Sequence, residues 1–291
     1  MKVSVVVIVK NESKYIKDCI SAILNQSYTD FEIIAVDNGS TDGTSQIIQS
    51  FDDKRIKYIY EPSNCGVAVL RNIGARKANG AFVFFTDGDC RPNKYWLEEG
   101  LYAFEKKACV GVEGITFYQS QQKRTISDYD TFQYIPGEYM TCNIAYTNEV
   151  LEKVNYFDPA FRISTEDRDL AFRVMQHGHI HFSPDMIVAH QKKKLTIKSL
   201  FLKAKRAEDK VYFIKKHGWY EHNKHGQERK ASIRILYLEK FIFLLFPPLL
   251  LFTERYASIN DIVLGIFFYI SLIYERLVIW KSAFKYRVFV L

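Results

Sequence analysis

The first ninety or so positions alternate between short apolar blocks of two different periods. Val3 to Val9 is β-branched and nearly continuous, the pattern of a strand covered on both faces. Ser13 to Leu24 switches to helical spacing, with Tyr15, Ile16, Cys19, Ile20, Ile23 and Leu24 on one side. Phe31 to Val36 predicts a second strand, ending at Asp37. A turn-rich stretch, Asn38 to Thr44, leads into a short helix reaching about Phe51. Ile56 to Tyr60 predicts a third strand, Val67 to Ala78 a helix, and Ala81 to Phe85 a fourth strand running into Thr86-Asp87-Gly88-Asp89. Strands alternating with helices at this spacing predict an α/β fold with a parallel sheet. Ligands of such sheets bind beyond the carboxyl ends of the strands. Asp37, Asp87 and Asp89 all stand at such ends.

Further on the pattern changes. Cys109 to Asn143, rich in Tyr, Phe and Thr, reads as extended strands and loops. Glu149 to Val154 predicts a short helix. Asp167 to Gln176 predicts another, with Leu170, Ala171 and Val174 inward. Met186 to Ala189 reads as a strand closed by His190. Lys192 to Lys230 is basic and helical in texture, with 13 Lys/Arg against 4 Asp/Glu. Two apolar runs follow, Phe241 to Thr253 and Ile262 to Tyr274. Each is 13 residues long, whereas a membrane-spanning helix needs ~20. The expected organisation is an α/β domain over residues 1–190, a basic helical segment over 191–230 and hydrophobic, membrane-associating helices over 231–291.

Composition sharpens this division. Of 291 residues, 48% are hydrophobic and 15% aromatic, enough for a full core. Residues 1–190 hold 20 basic and 25 acidic side chains, net −5, and residues 191–291 hold 20 and 8, net +12. A basic tail fits nucleic acid or anionic lipid. Because it leads straight into apolar segments, lipid is the expected partner and nucleic acid is not. Phe, Tyr, Trp280 and Lys/Arg mix there as in interfacial segments, which ranks membrane contact above a buried dimer interface. The five cysteines, with no Cys-x-x-Cys pair, indicate a reducing compartment and no structural zinc. The apolar start is followed by Lys10-Asn11-Glu12 rather than a cleavage site, so it reads as a strand and not a signal peptide.

The candidate chemistry is carboxylate chemistry. Asp87 and Asp89, one residue apart at a strand end, suit a hard divalent cation completed by substrate phosphates; the same Asp-Gly pair also suits a plain turn. Asp37 stands where it could accept from a base or ribose, or cap a helix; Ser40, Thr41 and Asp42 suit the capping role. Thr165-Glu166-Asp167 opens a helix, where acidic residues are electrostatically favourable without any further role, yet a carboxylate there could also take a proton from a hydroxyl. Arg71 suits a diphosphate or a surface ion pair. His190 suits a metal ion or the polar end of a strand.

Taken in order, these residues resemble the family 2 glycosyltransferases with the GT-A fold. The matching segments are Val5 to Glu12, Ile33 to Thr44, Arg71-Asn72-Ile73-Gly74-Ala75, Phe85 to Asp89, Cys142-Asn143, Phe157-Asp158, and Thr165-Glu166-Asp167 with Asp169-Leu170 and Arg173. The resemblance covers about residues 1–190. It implies a Rossmann-like, mostly parallel sheet flanked by helices, and an inverting transfer of a sugar from a nucleotide-diphosphate donor with Mn²⁺ or Mg²⁺ as cofactor. Val9, Asn11, Glu12, Asp37, Arg71 and Asp87 would hold the donor nucleotide. Asp89, Asp87 and His190 would face the metal. Asn143 would lie near donor sugar and acceptor. Asp167 would be the general base, with Glu166 supporting it. Three places depart from the frequent pattern: the first strand ends Ile8-Val9-Lys10-Asn11 rather than Pro-Thr-Tyr-Asn, Asn38 stands in place of a second Asp, and Cys90 in place of a third acidic residue. The processive motif Gln-x-x-Arg-Trp is missing, which favours addition of a single sugar. The expected donor is a UDP-sugar, the expected acceptor a glycan or lipid-linked molecule, and the expected location the cytoplasmic face of the cell membrane. The rivals are a non-catalytic sugar-nucleotide-binding scaffold and a nucleotidyltransferase on a similar sheet.

Overall fold

The computed structural model describes residues 2–63, 65–119, 136–191, 196–218, 220–222, 228–230 and 259–288. It divides into two compact units, one made of residues 1–119, 133–162 and 166–191, the other of 120–132, 163–165 and 192–291.

In the first unit, β1 (Val3–Val9), β2 (Phe31–Asp37), β3 (Ile56–Tyr60) and β4 (Phe82–Asp87) lie parallel. They are joined by α1 (Ile16–Leu24), α2 (Thr44–Gln49) and α3 (Val67–Ala75). Burial of β1 on both faces explains its unbroken apolar run. Val3, Val5, Val7 and Val9 pack with Ile16, Cys19, Ile20 and Ile23 of α1, while Val6 packs with Ala68 and Ala75 of α3. The approach of α3 is close: a Cβ on Gly74 would stand 2.4 Å from Val6 Cγ1.

The sheet continues through β5 (Cys90–Pro92), β6 (Gly111–Gln119), β7 (Ile144–Thr147) and β8 (Ile180–Gln191). The order is β3-β2-β1-β4-β7-β6-β8-β5. β4–β7, β6–β7 and β5–β8 are antiparallel, and β6–β8 is parallel. The parallel half is the half expected from periodicity; the mixed half depends on long-range pairing that local pattern does not encode. The strand expected at Met186 to Ala189 is the end of the longer β8.

Three helices complete this unit: α4 (Trp96–Lys107), α5 (Asn148–Lys153) and α6 (Glu166–Val174). α4 was not expected. Its Trp96, Leu97, Leu101 and Phe104 are buried, and the Trp96 ring meets Phe84 edge-on with centroids 5.1 Å apart.

The second unit contains α7 (Ile197–His217), the paired strands β9 (Tyr220–His222) and β10 (Glu228–Lys230), and α8 (Ile259–Tyr286). Among its described residues the basic segment is thus helical over α7, and its last ones form strands. Thr196 and Ser199 close a capping box at the start of α7. Phe201 meets Tyr274, Glu208 pairs with Lys285, and Tyr212 meets Tyr286, so α7 and α8 run parallel. Among the described residues, no helix is long and apolar enough to cross a membrane. The run Phe241 to Thr253 lies outside the described residues.

Candidate active site

The carboxyl ends of β1, β2 and β4 finish side by side. Val9 is the register partner of Asp37, and Ile8 of Asp87. Beyond the strands the N–H of Asn38 donates to the Val9 carbonyl at 2.9 Å, and that of Gly88 to Ile8 at 3.1 Å. A side chain on Gly88 would collide with Val9, its Cβ standing 2.6 Å from Val9 Cγ1. The loops after β1 and β2 are stitched into one wall. Asn11, at φ 55°, accepts the Thr41 N–H on its Oδ1 at 2.8 Å, and its own N–H donates to Ser40 Oγ at 2.9 Å. Glu12 N–H donates to Thr44 Oγ1, and Ser13 N–H to Asp42 Oδ2. Partial burial works against the Asp42 charge, but hydrogen bonds from Thr44 and Ser13 outweigh it and hold the carboxyl at about 2.

Asp37 is fully buried. Its Oδ1 accepts the Ser40 N–H and its Oδ2 the Tyr58 hydroxyl, both at 2.9 Å. Burial first, and Asp37 second, push the Tyr58 phenol up to about 12. Asp37 therefore closes the turn after β2; it caps no helix, since α2 starts only at Thr44, behind Gly43. Next to it, the buried side-chain oxygen of Asn38 has no hydrogen-bond partner in the structure. Sequence gave Asn38 no role.

Arg71 is neither a surface ion pair nor an open anion site. It is buried, with Nη2 3.1 Å from Asp87 Oδ1 and Nη1 paired with Glu166 Oε1. It bridges the end of β4 to the start of α6. The other Glu166 oxygen is buried without a hydrogen-bond partner. Asp167, half-buried beside it, has its carboxyl pushed up to about 7, first by burial and then by the Glu166 charge. Thr165, just before α6, sits at φ 71°, a costly conformation for a β-branched residue.

The short strand β5 folds back against β8, which sets Cys90 directly across from His190. Asp89 Oδ1 lies 3.6 Å from His190 Nε2 and 3.8 Å from Cys90 Sγ. His190 Nδ1 lies 2.9 Å from the Gln191 carbonyl. A carbonyl can only accept, so Nδ1 carries the proton and the neutral ring has its Nε2 lone pair toward Asp89. One ligand atom from each of Asp89, Cys90 and His190 lies within 4.8 Å of the others.

Asn143, expected near donor sugar and acceptor, is buried; its amide nitrogen donates to the carbonyls of Ile115 at 2.7 Å and Met186 at 3.0 Å, and its oxygen accepts the Trp96 indole N–H at 2.8 Å. The two amide hydrogens thus brace β6 and β8, and the oxygen braces α4. Glu113 was missed altogether: this buried carboxylate accepts the N–H of Gly137 at 2.8 Å and of Tyr139 at 2.6 Å.

With this geometry in view, the sequence model described as "Glycosyl transferase family 2" matches residues 4–165. The chain belongs to that family. Among its curated relatives, Glycosyltransferase AglE of Haloferax volcanii is 30% identical over 202 residues, 65% of this chain and 66% of AglE. Glycosyltransferase GlyG of Streptococcus pneumoniae is 30% identical over 138 residues, 47% of this chain and 44% of GlyG. The matched stretch therefore spans under two thirds of AglE's length, rounded, and under half of GlyG's. Two solved structures share the fold at low identity. The mannosyltransferase PcManGT of Pyrobaculum calidifontis, in complex with GDP-Man and Mn²⁺, has TM-score 0.65 at 17% identity, over 98% of this chain and 87% of that one. S. aureus TarS 1–349, in complex with UDP-GlcNAc, has TM-score 0.60 at 17% identity, over 99% and 93%.

Asp89, Cys90 and His190 form a group that could hold a metal ion. The donor set fits one: a carboxylate oxygen and an imidazole nitrogen face each other at 3.6 Å, with the ring turned to present its lone pair. Asp87 is less available, because its Oδ1 is already on Arg71.

Proposed function

We propose that the chain is an inverting, cation-dependent glycosyltransferase that moves one sugar from a nucleoside-diphosphate donor, a UDP-sugar, to a hydroxyl of a glycan or lipid-linked acceptor. The observation that carries this reading is the Asp87–Arg71–Glu166 bridge. It ties the Asp87-Gly88-Asp89 turn to the helix that bears Asp167. The complexes of PcManGT with GDP-Man and Mn²⁺ and of TarS with UDP-GlcNAc support the donor class and the need for a cation.

The nucleoside lies against the wall formed by Val9, Asn11, Glu12 and Asp37. Asp89 and His190 would hold the cation, whose positive charge would stabilise the departing diphosphate. Asp167 takes the proton of the acceptor hydroxyl as its oxygen attacks the anomeric carbon. The bond from that carbon to the phosphate oxygen breaks, and the diphosphate leaves with the electron pair. A single displacement inverts the anomeric centre. A carboxyl held near 7 is a stronger base than an ordinary one and suits work near neutral pH. Arg71 positions rather than binds: it fixes Asp87 and Glu166.

The enzyme works on the cytoplasmic face of the cell membrane. Support comes from α8, which buries polar side chains beside Leu272, Ile279 and Ala283 and exposes a line of apolar ones beside Lys281 and Lys285. Ser271, Glu275, Arg276 and Ser282 are buried, whereas Ile266, Ile270, Ile273, Leu277, Trp280 and Phe284 are exposed, Phe284 by 89%. Apolar residues outward and charged residues inward are what lipid contact selects.

The test is to incubate the full chain with a panel of nucleotide sugars, with and without Mn²⁺. Release of nucleoside diphosphate that EDTA abolishes is the expected result. Tight donor binding without hydrolysis or transfer to any acceptor would make the chain a binding scaffold instead.

A further inference from the structure

Cys90 stands where the family resemblance leads one to expect an acidic residue; it is buried in the core, and the mechanism above gives it no task. We propose that the Cys90 sulfur is a third protein ligand of the cation, so that the site prefers a thiophilic divalent ion, Zn²⁺ or Co²⁺, over Mg²⁺. This rests on the reading that Asp89 and His190 hold the cation.

The geometry comes from the β5–β8 register. Directly opposed residues of an antiparallel pair present their side chains on the same face, and Cys90 opposes His190. Asp89 precedes Cys90 in the turn and brings its Oδ1 to 3.8 Å from Sγ and 3.6 Å from His190 Nε2. A tetrahedral ion with bonds of about 2.0 Å to oxygen and nitrogen and about 2.3 Å to sulfur sets neighbouring ligand atoms roughly 3.3–3.6 Å apart. The two measured separations exceed that by a few tenths of an ångström, within the reach of small side-chain rotations. The third, between sulfur and imidazole, is also within 4.8 Å.

The ligand set is oxygen, nitrogen and sulfur. Mg²⁺ demands near-ideal octahedral oxygen coordination, while thiolate and imidazole together suit zinc. The other carboxylate of the turn, Asp87, has its Oδ1 on Arg71. Three protein ligands leave a fourth position open, as in catalytic rather than structural zinc sites, and a donor diphosphate oxygen fits there. Coordination converts the thiol to a thiolate, and its proton goes to solvent.

The test is a titration of the metal-free full chain with Co²⁺, read by absorbance. The expected spectrum has the visible bands of tetrahedral cobalt and a thiolate-to-cobalt charge-transfer band, both bleached by Zn²⁺ but not by Mg²⁺. Cys90→Ser is expected to lose the charge-transfer band and Cys142→Ser to keep it. The wild-type spectrum decides the matter even if a variant does not fold. Cobalt bound without a charge-transfer band, or with one that survives Cys90→Ser, overturns the sulfur ligand while leaving Asp89 and His190 in place. Calorimetry with UDP present that detects neither Mn²⁺ nor Zn²⁺ binding overturns the cation site itself.

Discussion

Asp167 is costly to the fold in the form the chemistry needs. Its carboxyl is held near 7, against about 3.9 for an unperturbed aspartate. Between those values the unfolded chain releases a proton that the folded chain keeps, so this group makes stability fall as pH rises from about 4 to about 7. Asp167→Asn is therefore expected to raise the melting temperature at pH 8 relative to the parent and to leave it level at pH 4. It is also expected to lower kcat by about 10²–10⁴-fold with donor affinity nearly unchanged. In the parent, kcat/KM should climb through an apparent pKa near 7. If donor affinity collapses while turnover survives, the base lies elsewhere. Asp89→Ala is expected to abolish transfer with the fold intact; full activity in that variant or in EDTA would refute the assignment. Arg71→Ala leaves Glu166 buried beside no cation and should cost about 3–5 kcal/mol in denaturant unfolding. An effect below 1 kcal/mol, roughly the value of an exposed pair, would mean that the bridge is not held in solution. Single residues were legible where a strand end marked them, as at Asp37, Asp87 and Asp89. The bracing part played by Asn143 was not legible because its indole partner lies 47 positions away, and Glu113 was not because its partners lie 24 and 26 positions on.

At the scale of elements, the parallel half of the sheet was readable because each strand and helix declares itself by its own period. The strands β6 and β7 do not, since their places depend on neighbours distant in sequence. α4 had a usable signal that went unread. Trp96, Leu97, Leu101 and Phe104 are helically spaced, with Glu98 and Glu99 in the first turn and Lys106 and Lys107 in the last, as the helix dipole favours. α8 was half-read. Glu275 and Arg276 do not end the second apolar run; they turn inward while the helix continues to Tyr286. The exposed residues at 266, 270, 273, 277, 280 and 284 form one stripe along a helix of 28 residues. Because Leu277 and Phe284 are exposed, changing both to Glu should leave unfolding unchanged within about 0.5 kcal/mol. The double variant is expected to lose sedimentation with anionic vesicles, and Trp280 fluorescence should no longer shift to the blue on mixing. Unaltered sedimentation would remove α8 from the membrane contact.

At the scale of the whole molecule, charge and apolar surface divide along the chain. Residues 1–190 are net −5, and residues 191–291 are net +12. Each Lys or Arg close to an anionic surface contributes about 1 kcal/mol of attraction. That attraction has a range of about 8 Å at physiological salt, so salt weakens it. Burial of apolar surface has no such dependence. The two contributions therefore separate under different washes. High salt should slow the return of the full chain to membranes without stripping it, whereas detergent should release it. Removing residues 231–291 takes away the apolar contribution and spares the residues assigned to donor and base. The shortened chain is expected to stay in solution and still hydrolyse donor slowly with Mn²⁺, while transferring poorly to a lipid-linked acceptor. Were the full chain to fractionate without detergent as a dimer, the exposed stripe of α8 would be a contact between copies, and the acceptor would have to be sought among free glycans.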